Sequence, residues 1–261
     1  MLLAVPDGLQ QGRGAWGGVA TGAMVAAAQA CDDRPGLQVR TASAQLVAPL
    51  LVGTATVVVE VLRRGSATST VAARVLDSSG ALLAHGVVVL GSARRGDDMP
   101  GGPAWLGLEP PPELAAGPDA VAAVRIGPPL APEFTAHLDF RPVTGLPYSA
   151  SPPGPVAGWV APRAPVARVD AAVVVALADA WWVTVMARMD RVRPAATVGF
   201  ALDLPGDVAA LARDRDGHLE PLFHRGRVVA AREGFVVETR ELWTASGMLV
   251  SWNTQTVAVI A

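Results

Sequence analysis

Hydrophobic and polar positions along the chain fall into three kinds of stretch. The first is apolar on every side. From Arg168 the sequence reads RVDAAVVVALADAWWVTVMARMD, and a helix with no polar face is one buried all round. Between Asp170 near its start and Asp190 at its end, Asp179 is the one carboxylate in that run. At helical spacing its neighbours are Val175, Ala176, Trp182 and Val183, so its charge is placed among hydrocarbon. Arg193-Pro194 is expected to stop the helix. Ala195 to Leu204 then alternates as a strand does, with Thr197 near its start. The run is short and carries Asp179 and Arg188, which argues against a membrane span. Ala15 to Ala30 predicts a second helix, of small residues, in which Gly17, Gly18 and Gly22 let another backbone come close.

The second kind alternates with period two. Leu37–Val47, Thr54–Arg63, Ala67–Asp77 and Ala81–Leu90 predict strands, with turn signals at Pro49, Gly53, Gly65 and Ser78-Ser79-Gly80 that favour antiparallel hairpins. Phe134–Pro142, Gly158–Ala161, Arg227–Trp243 (split near Gly234) and Met248–Ile260 predict further strands. The third kind is loop. Gly91 to about Pro129 is rich in Pro, Gly and acid and predicts an inter-domain linker, ordered in part by Trp105 and Leu106. Pro205–Gly226 predicts a charged loop with a short helix at Asp207–Arg213.

The order strand piece, loop, buried helix, antiparallel strands occurs twice. Ser79-Gly80 and Ser246-Gly247 fix the best register between the copies, and GALLAHGVVVL then lies over GMLVSWNTQTVAV. A duplicated helix wrapped by antiparallel strands accounts for both the all-round apolar helix and the strand count. The expected fold is therefore α+β: a double hotdog, two antiparallel sheets each wrapped around a central helix. The expected units are residues 1–95, a linker over 96–130, and residues 131–261, which carry the polar site.

Composition narrows the function. Half of the 261 residues are hydrophobic (51%), which excludes a disordered chain, and a net charge of −2 gives no footprint for nucleic acid. Every basic residue is arginine, so lysine Schiff-base chemistry and a P-loop are excluded. A single cysteine, Cys31, fits a reducing compartment, and no secretion signal opens the chain, so a soluble, cytoplasmic protein is expected.

In the register above Gln255 lies over Val88, a polar group where the first copy has none. Thr41–Leu46 lies similarly over Thr197–Leu202, which sets Thr197 over Thr41 and Asp179 over a stretch near Ala20–Ala23 that has no acid. Here the sequence resembles the TesB-like double-hotdog acyl-CoA thioesterases. The resemblance rests on LADAWW around Asp179, PAATVGF around Thr197, WNTQT around Gln255, and the glycine-rich GRGAWGGVATGAM at 12–24. It implies that Asp179, Thr197 and Gln255 orient and activate a water that hydrolyses an acyl-CoA, with no cofactor. Where members near the bacterial enzyme carry an Asp-His pair two residues after the threonine, this chain has Gly199-Phe200, a departure that bears on substrate choice.

The chemistry stands without the name. Burial disfavours the ionised form of an acid and moves its pKa toward the range useful to a general base. A hydroxyl and a carboxamide each donate and accept, so together they can fix one water. A helix N-terminus or a strand-end N–H can hold the thioester oxyanion. The structural alternative pairs Asp179 with Arg188, Arg191 or Arg193. Two other functional readings stand beside the hydrolase: a non-catalytic hotdog module binding acyl thioesters or another apolar ligand, and a hotdog hydratase, disfavoured because no histidine lies near Asp170 or Asp179. Gly12-x-Gly14-x-x-Gly17 matches a dinucleotide fingerprint but lacks the βαβ context. There is no G-x-S-x-G elbow and no histidine pair at metal-ligand spacing. His224-Arg225 reads as solvated, Trp181-Trp182 as core, and a homo-oligomer is left open.

Overall fold

The structure is a computed structural model that describes residues 1–93, 107–129 and 131–260. The chain opens with Leu2–Val5 (β1), the ribbon Gln10–Gln11 (β2) and Gly14–Ala15 (β3), and helix Gly17–Cys31 (α1). Leu37–Leu46 (β4), Gly53–Arg64 (β5), Thr68–Leu76 (β6) and Leu82–Ser92 (β7) follow. The second half contributes Leu138–Thr144 (β8), Val156–Pro162 (β9), helix Ala171–Asp179 (α2) and Ala195–Asp203 (β10). Leu222–Arg232 (β11), Phe235–Trp243 (β12) and Leu249–Val259 (β13) complete it.

Two sheets, each wrapped around its own helix, were expected; among the described residues one large sheet takes every strand but the β2-β3 ribbon. Eleven strands run in the order β1-β5-β6-β7-β4-β10-β13-β12-β11-β9-β8, each pair antiparallel. The seam is β4 against β10, from Gly199 opposite Gln45 to Asp203 opposite Thr41. Strands that the sequence places in separate units thus satisfy one another's open edges. Both helices lie on this sheet. The longer α1 packs on β4–β7, α2 packs on β12 and β13, and the helices pack on each other. Their close approach needs small residues: a Cβ on Gly22 would come within 3.2 Å of the Ala172 carbonyl oxygen.

The apolar stretch Ala171–Arg188 is mostly buried and helical over only nine residues before a 3-10 turn at Thr184–Arg188, as suits a core helix rather than a span. The helix expected to run on to Arg193-Pro194 ends at Asp179. The loop expected over Pro205–Gly226 also stops early, because β11 begins at Leu222. His224 and Arg225, read as solvated, are buried within that strand. Arg225 is neutralised across the sheet by Glu241, through Nε and Nη2 bonds of 3.0 Å, and Trp243 Nε1 adds a third donor to the same carboxylate. Of the expected linker, Trp105 and Leu106 lie outside the described residues. The described part packs: Trp159 Nε1 donates to the Ala116 carbonyl at 2.7 Å and Arg141 Nη1 to that of Pro118 at 2.6 Å.

Candidate active site

Helix α1 starts without help from its own sequence. Its N-cap is Trp16, no side chain caps it, and its first turn holds no acid. Helix α2, by contrast, is capped by Asp170, which accepts from the Ala172 and Val173 amides. The unsatisfied N–H groups and positive dipole end of α1 therefore attract an anion from elsewhere, and that anion is Asp179. Its carboxylate accepts from the Gly18 N–H. A Cβ on Gly17 would stand 2.7 Å from Asp179 Oδ2 and 2.8 Å from Leu46 Cδ1, so only glycine leaves room for the acid.

The other carboxylate oxygen faces β13. Ser251, Asn253 and Gln255 alternate inward there and are fully buried. Gln255 Nε2 donates to Asp179 Oδ1 at 3.0 Å and to Asn253 Oδ1 at 3.0 Å. Asn253 Nδ2 in turn donates to the Ala201 carbonyl at 2.8 Å, which fixes both amides' orientation. The remaining Gln255 oxygen accepts from the Thr197 hydroxyl at 3.0 Å. The structure thus brings Asp179, Gln255 and Thr197 into one hydrogen-bonded chain, with Gln255 in the middle. Asn253 escaped the sequence reading, although the inward alternation of WNTQT was the signal for it.

Asp179 is 8% exposed, and burial pushes its carboxyl up to about 6, against the pull of Arg240, Gln255 and the Gly18 amide. Among the described residues no cation forms an ion pair with it. The alternative partners Arg188 and Arg191 are exposed, Arg193 is half-buried, and the arginine whose charge reaches Asp179 is Arg240 on β12.

Two cavities lie close by, each lined by residues next to this acid in sequence or in space. One, of about 490 Å³, is lined by Gly17, Leu46 and Thr197. The other, of about 390 Å³, starts at Ala180 and is walled by Trp181, Trp182, Phe134, Phe140 and Met186. They share Gln11, Gly12, Pro194 and Ala195 at the boundary. Trp181 packs edge-on to Phe140 at 5.2 Å and stacks on His224 at 4.9 Å, so the second cavity has a rigid aromatic wall. Trp181 itself is 3% exposed, as the core reading expected, while Trp182 is half-buried.

An antiparallel sheet laid on two buried helices is the hotdog architecture, and solved structures agree. The chain is similar to a hot dog fold protein of unknown function from Alicyclobacillus acidocaldarius, with a TM-score of 0.82 and 20% identity over 100% of this chain and 92% of that one. It is similar to a putative thioesterase II from Thermobifida fusca YX, with a TM-score of 0.76 and 21% identity over 100% and 92%. A third likeness is to the acyl-CoA thioesterase II TesB2 of Mycobacterium marinum, with a TM-score of 0.67 and 17% identity over 94% and 88%. Among curated protein sequences none matches the chain significantly. The profile of the acyl-CoA thioesterase N-terminal domain matches residues 5–96, and that of the acyl-CoA thioesterase C-terminal domain matches residues 109–259. The chain belongs to the acyl-CoA thioesterase family, as its motifs implied, and is a thioester hydrolase by family.

Proposed function

We propose that this chain hydrolyses an acyl-CoA to free acid and coenzyme A, with Asp179 as general base and Thr197 and Gln255 orienting the water. One observation carries the reading: a buried carboxylate with no ion-pair partner among the described residues, its pKa raised to about 6, sits at an otherwise uncapped helix N-terminus, against the Gly17 that lines one cavity and next to the Ala180 that lines the other. Residues 1–95 and 131–261 are the two modules. The first supplies the helix end and the second supplies the acid.

The ionised Asp179 takes a proton from the water as its oxygen attacks the thioester carbonyl. Negative charge develops on that carbonyl oxygen, where N–H groups of the first turn of α1 can stabilise it. The intermediate collapses with cleavage of the C–S bond, and Asp179 returns the proton to the departing sulfur. A thiol ionises near neutrality far more readily than an alcohol, so the leaving step needs little help. A thioester requires no covalent enzyme intermediate when water and base are fixed in place. The aromatic cavity after Ala180 receives the acyl group, beside α2. The cavity lined by Gly17 and Thr197 receives the pantetheine arm. One site per chain follows, since Val88 stands where the second copy has Gln255. The single cysteine and a CoA-linked substrate suit a cytoplasmic setting.

The test is a thiol-trapping assay over a panel of acyl-CoAs. Asp179→Asn is expected to lose ~10²–10⁴ in kcat/KM, the usual weight of a general base. Wild-type rates in that variant would remove Asp179 from the chemistry. Tight acyl-CoA binding by the native protein with no thiol release would make it a binding module instead.

A further inference from the structure

The carboxylate of Asp179 has neighbours that the reaction does not need. Glu238 and Arg240 alternate inward on β12, opposite Gln255 and Asn253 of β13. Their side chains are 0% and 2% exposed. Arg240 donates through Nε to Glu238 Oε1 at 2.6 Å, and its Nη2 lies 2.6 Å from the same oxygen. The free ends of the pair reach the chain on either side of Asp179. Arg240 Nη1 donates to the Ala178 carbonyl at 3.3 Å, and Glu238 Oε2 accepts from the Thr184 amide at 2.8 Å.

Burying two charges is costly, and an apolar pair of similar volume commonly leaves a protein as stable or more so. Stability alone therefore gives no reason for this pair. Its contacts give another. No glycine or proline follows Asp179 until Pro194, yet α2 ends at Asp179, with the Ala180 amide turned back to the Leu177 carbonyl. Arg240 takes the carbonyl of the residue before the acid, and Glu238 takes the amide of the residue that begins the next turn. The segment 178–184 is thereby pinned to β12, and Asp179 is held at the reach of Gln255 and the Gly18 N–H.

Resting on the reading of Asp179 as the base, we infer that the Glu238–Arg240 pair is a clamp of positioning residues that fixes the Asp179 carboxylate and sets its charge state. The groups facing that carboxylate are few. Arg240 favours its ionised form and Glu238 opposes it, in that order of strength. From β13 and β10 come the neutral Gln255, Asn253 and Thr197, and from α1 only backbone. His224 on β11, which burial and, after it, Arg240 keep neutral, adds no charge.

The double variant Glu238→Gln/Arg240→Met removes both charges while keeping volume, so no unpaired ion is left in the core. Two readouts test it in the full chain: kcat and KM against pH, and a carbon-13 titration of the Asp179 carboxyl, identified by its absence in Asp179→Asn. The variant is expected to melt no lower than the native protein. Its plateau kcat should fall tenfold or more with KM within twofold, and the Asp179 titration and the acid limb should both move to higher pH. A folded double variant with native kcat and native titration overturns the clamp. Should Asp179→Asn prove fully active, the base reading fails alone, because the titration shift still reports the clamp.

Discussion

Among the described residues two aspartates are buried, and they differ in nearly everything else. Asp32, just past the end of α1, is saturated. Arg34 grips both its oxygens at 2.8 Å, Ser69 donates at 2.5 Å, and Arg64 stands at 3.3 Å. The Arg34 hydrogen bond, with Ser69 behind it, holds that carboxyl well below the usual range. Asp179 ends α2, receives an amide side chain and a backbone N–H, and lies higher, about 6. A buried acid with a bidentate arginine is a rivet: its charge is spent on structure. A buried acid without one keeps a proton affinity near neutrality that chemistry can use.

The sharpest way to break this contrast is by rate. Asp32→Asn should leave thioester hydrolysis unchanged while Asp179→Asn abolishes most of it. Equal losses in the two variants would mean that both acids act through the fold. Next in size is stability. The folded pKa of Asp179 lies above its unfolded value, so the native state binds the extra proton between about pH 4 and 6, and stability falls as pH rises through that window. Asp179→Asn should therefore be more stable than the native protein at pH 8, by about 3 kcal/mol for a carboxyl raised to about 6. That gain should vanish below pH 4 in denaturant titrations. A destabilised variant at pH 8 would show that the carboxylate is better solvated than its burial implies.

The smallest effect has the opposite sign. Asp32 has a depressed folded pKa, so its stabilisation is present above the unfolded pKa and is lost as pH falls through the folded one. Asp32→Asn should melt below the native protein at pH 7, and the gap should close in acid. His224 adds a slope of its own. Its folded pKa is lowered by burial, so stability falls as the pH drops below about 6.5 and the unfolded chain takes the proton. Replacing His224 with Gln should flatten that part of the melting curve. An unchanged slope would place the proton elsewhere.

Much of this was legible in the residues. The period-two runs of the first half gave β4 to β7 within a residue or two, because each strand has one buried face and clear turn chemistry on either side. Asp179, Thr197 and Gln255 were visible as polar groups in apolar surroundings. What escaped depends on partners distant in sequence. The chain leaving α2 is tied to Arg240 and Glu238, 62 and 54 residues from the groups they bond, while the local pattern through Trp181 and Val183 still reads as helix. His224 and Arg225 looked solvated because a charge reads as surface until its counter-ion, here Glu241, is placed across the sheet. The single sheet was hidden for the same reason: no local feature of Thr41–Gln45 says that its partner is Gly199–Asp203.

That seam has a mechanical consequence. A ladder of strands continuous from one end of the molecule to the other offers no hinge between its halves, so the reactive centre cannot be exposed by opening them like a shell. The segments around Gly12 and Pro194, which line both chambers, are then the natural place for a local opening under the proposed function. A substitution there, away from the acid, would change access without touching the chemistry.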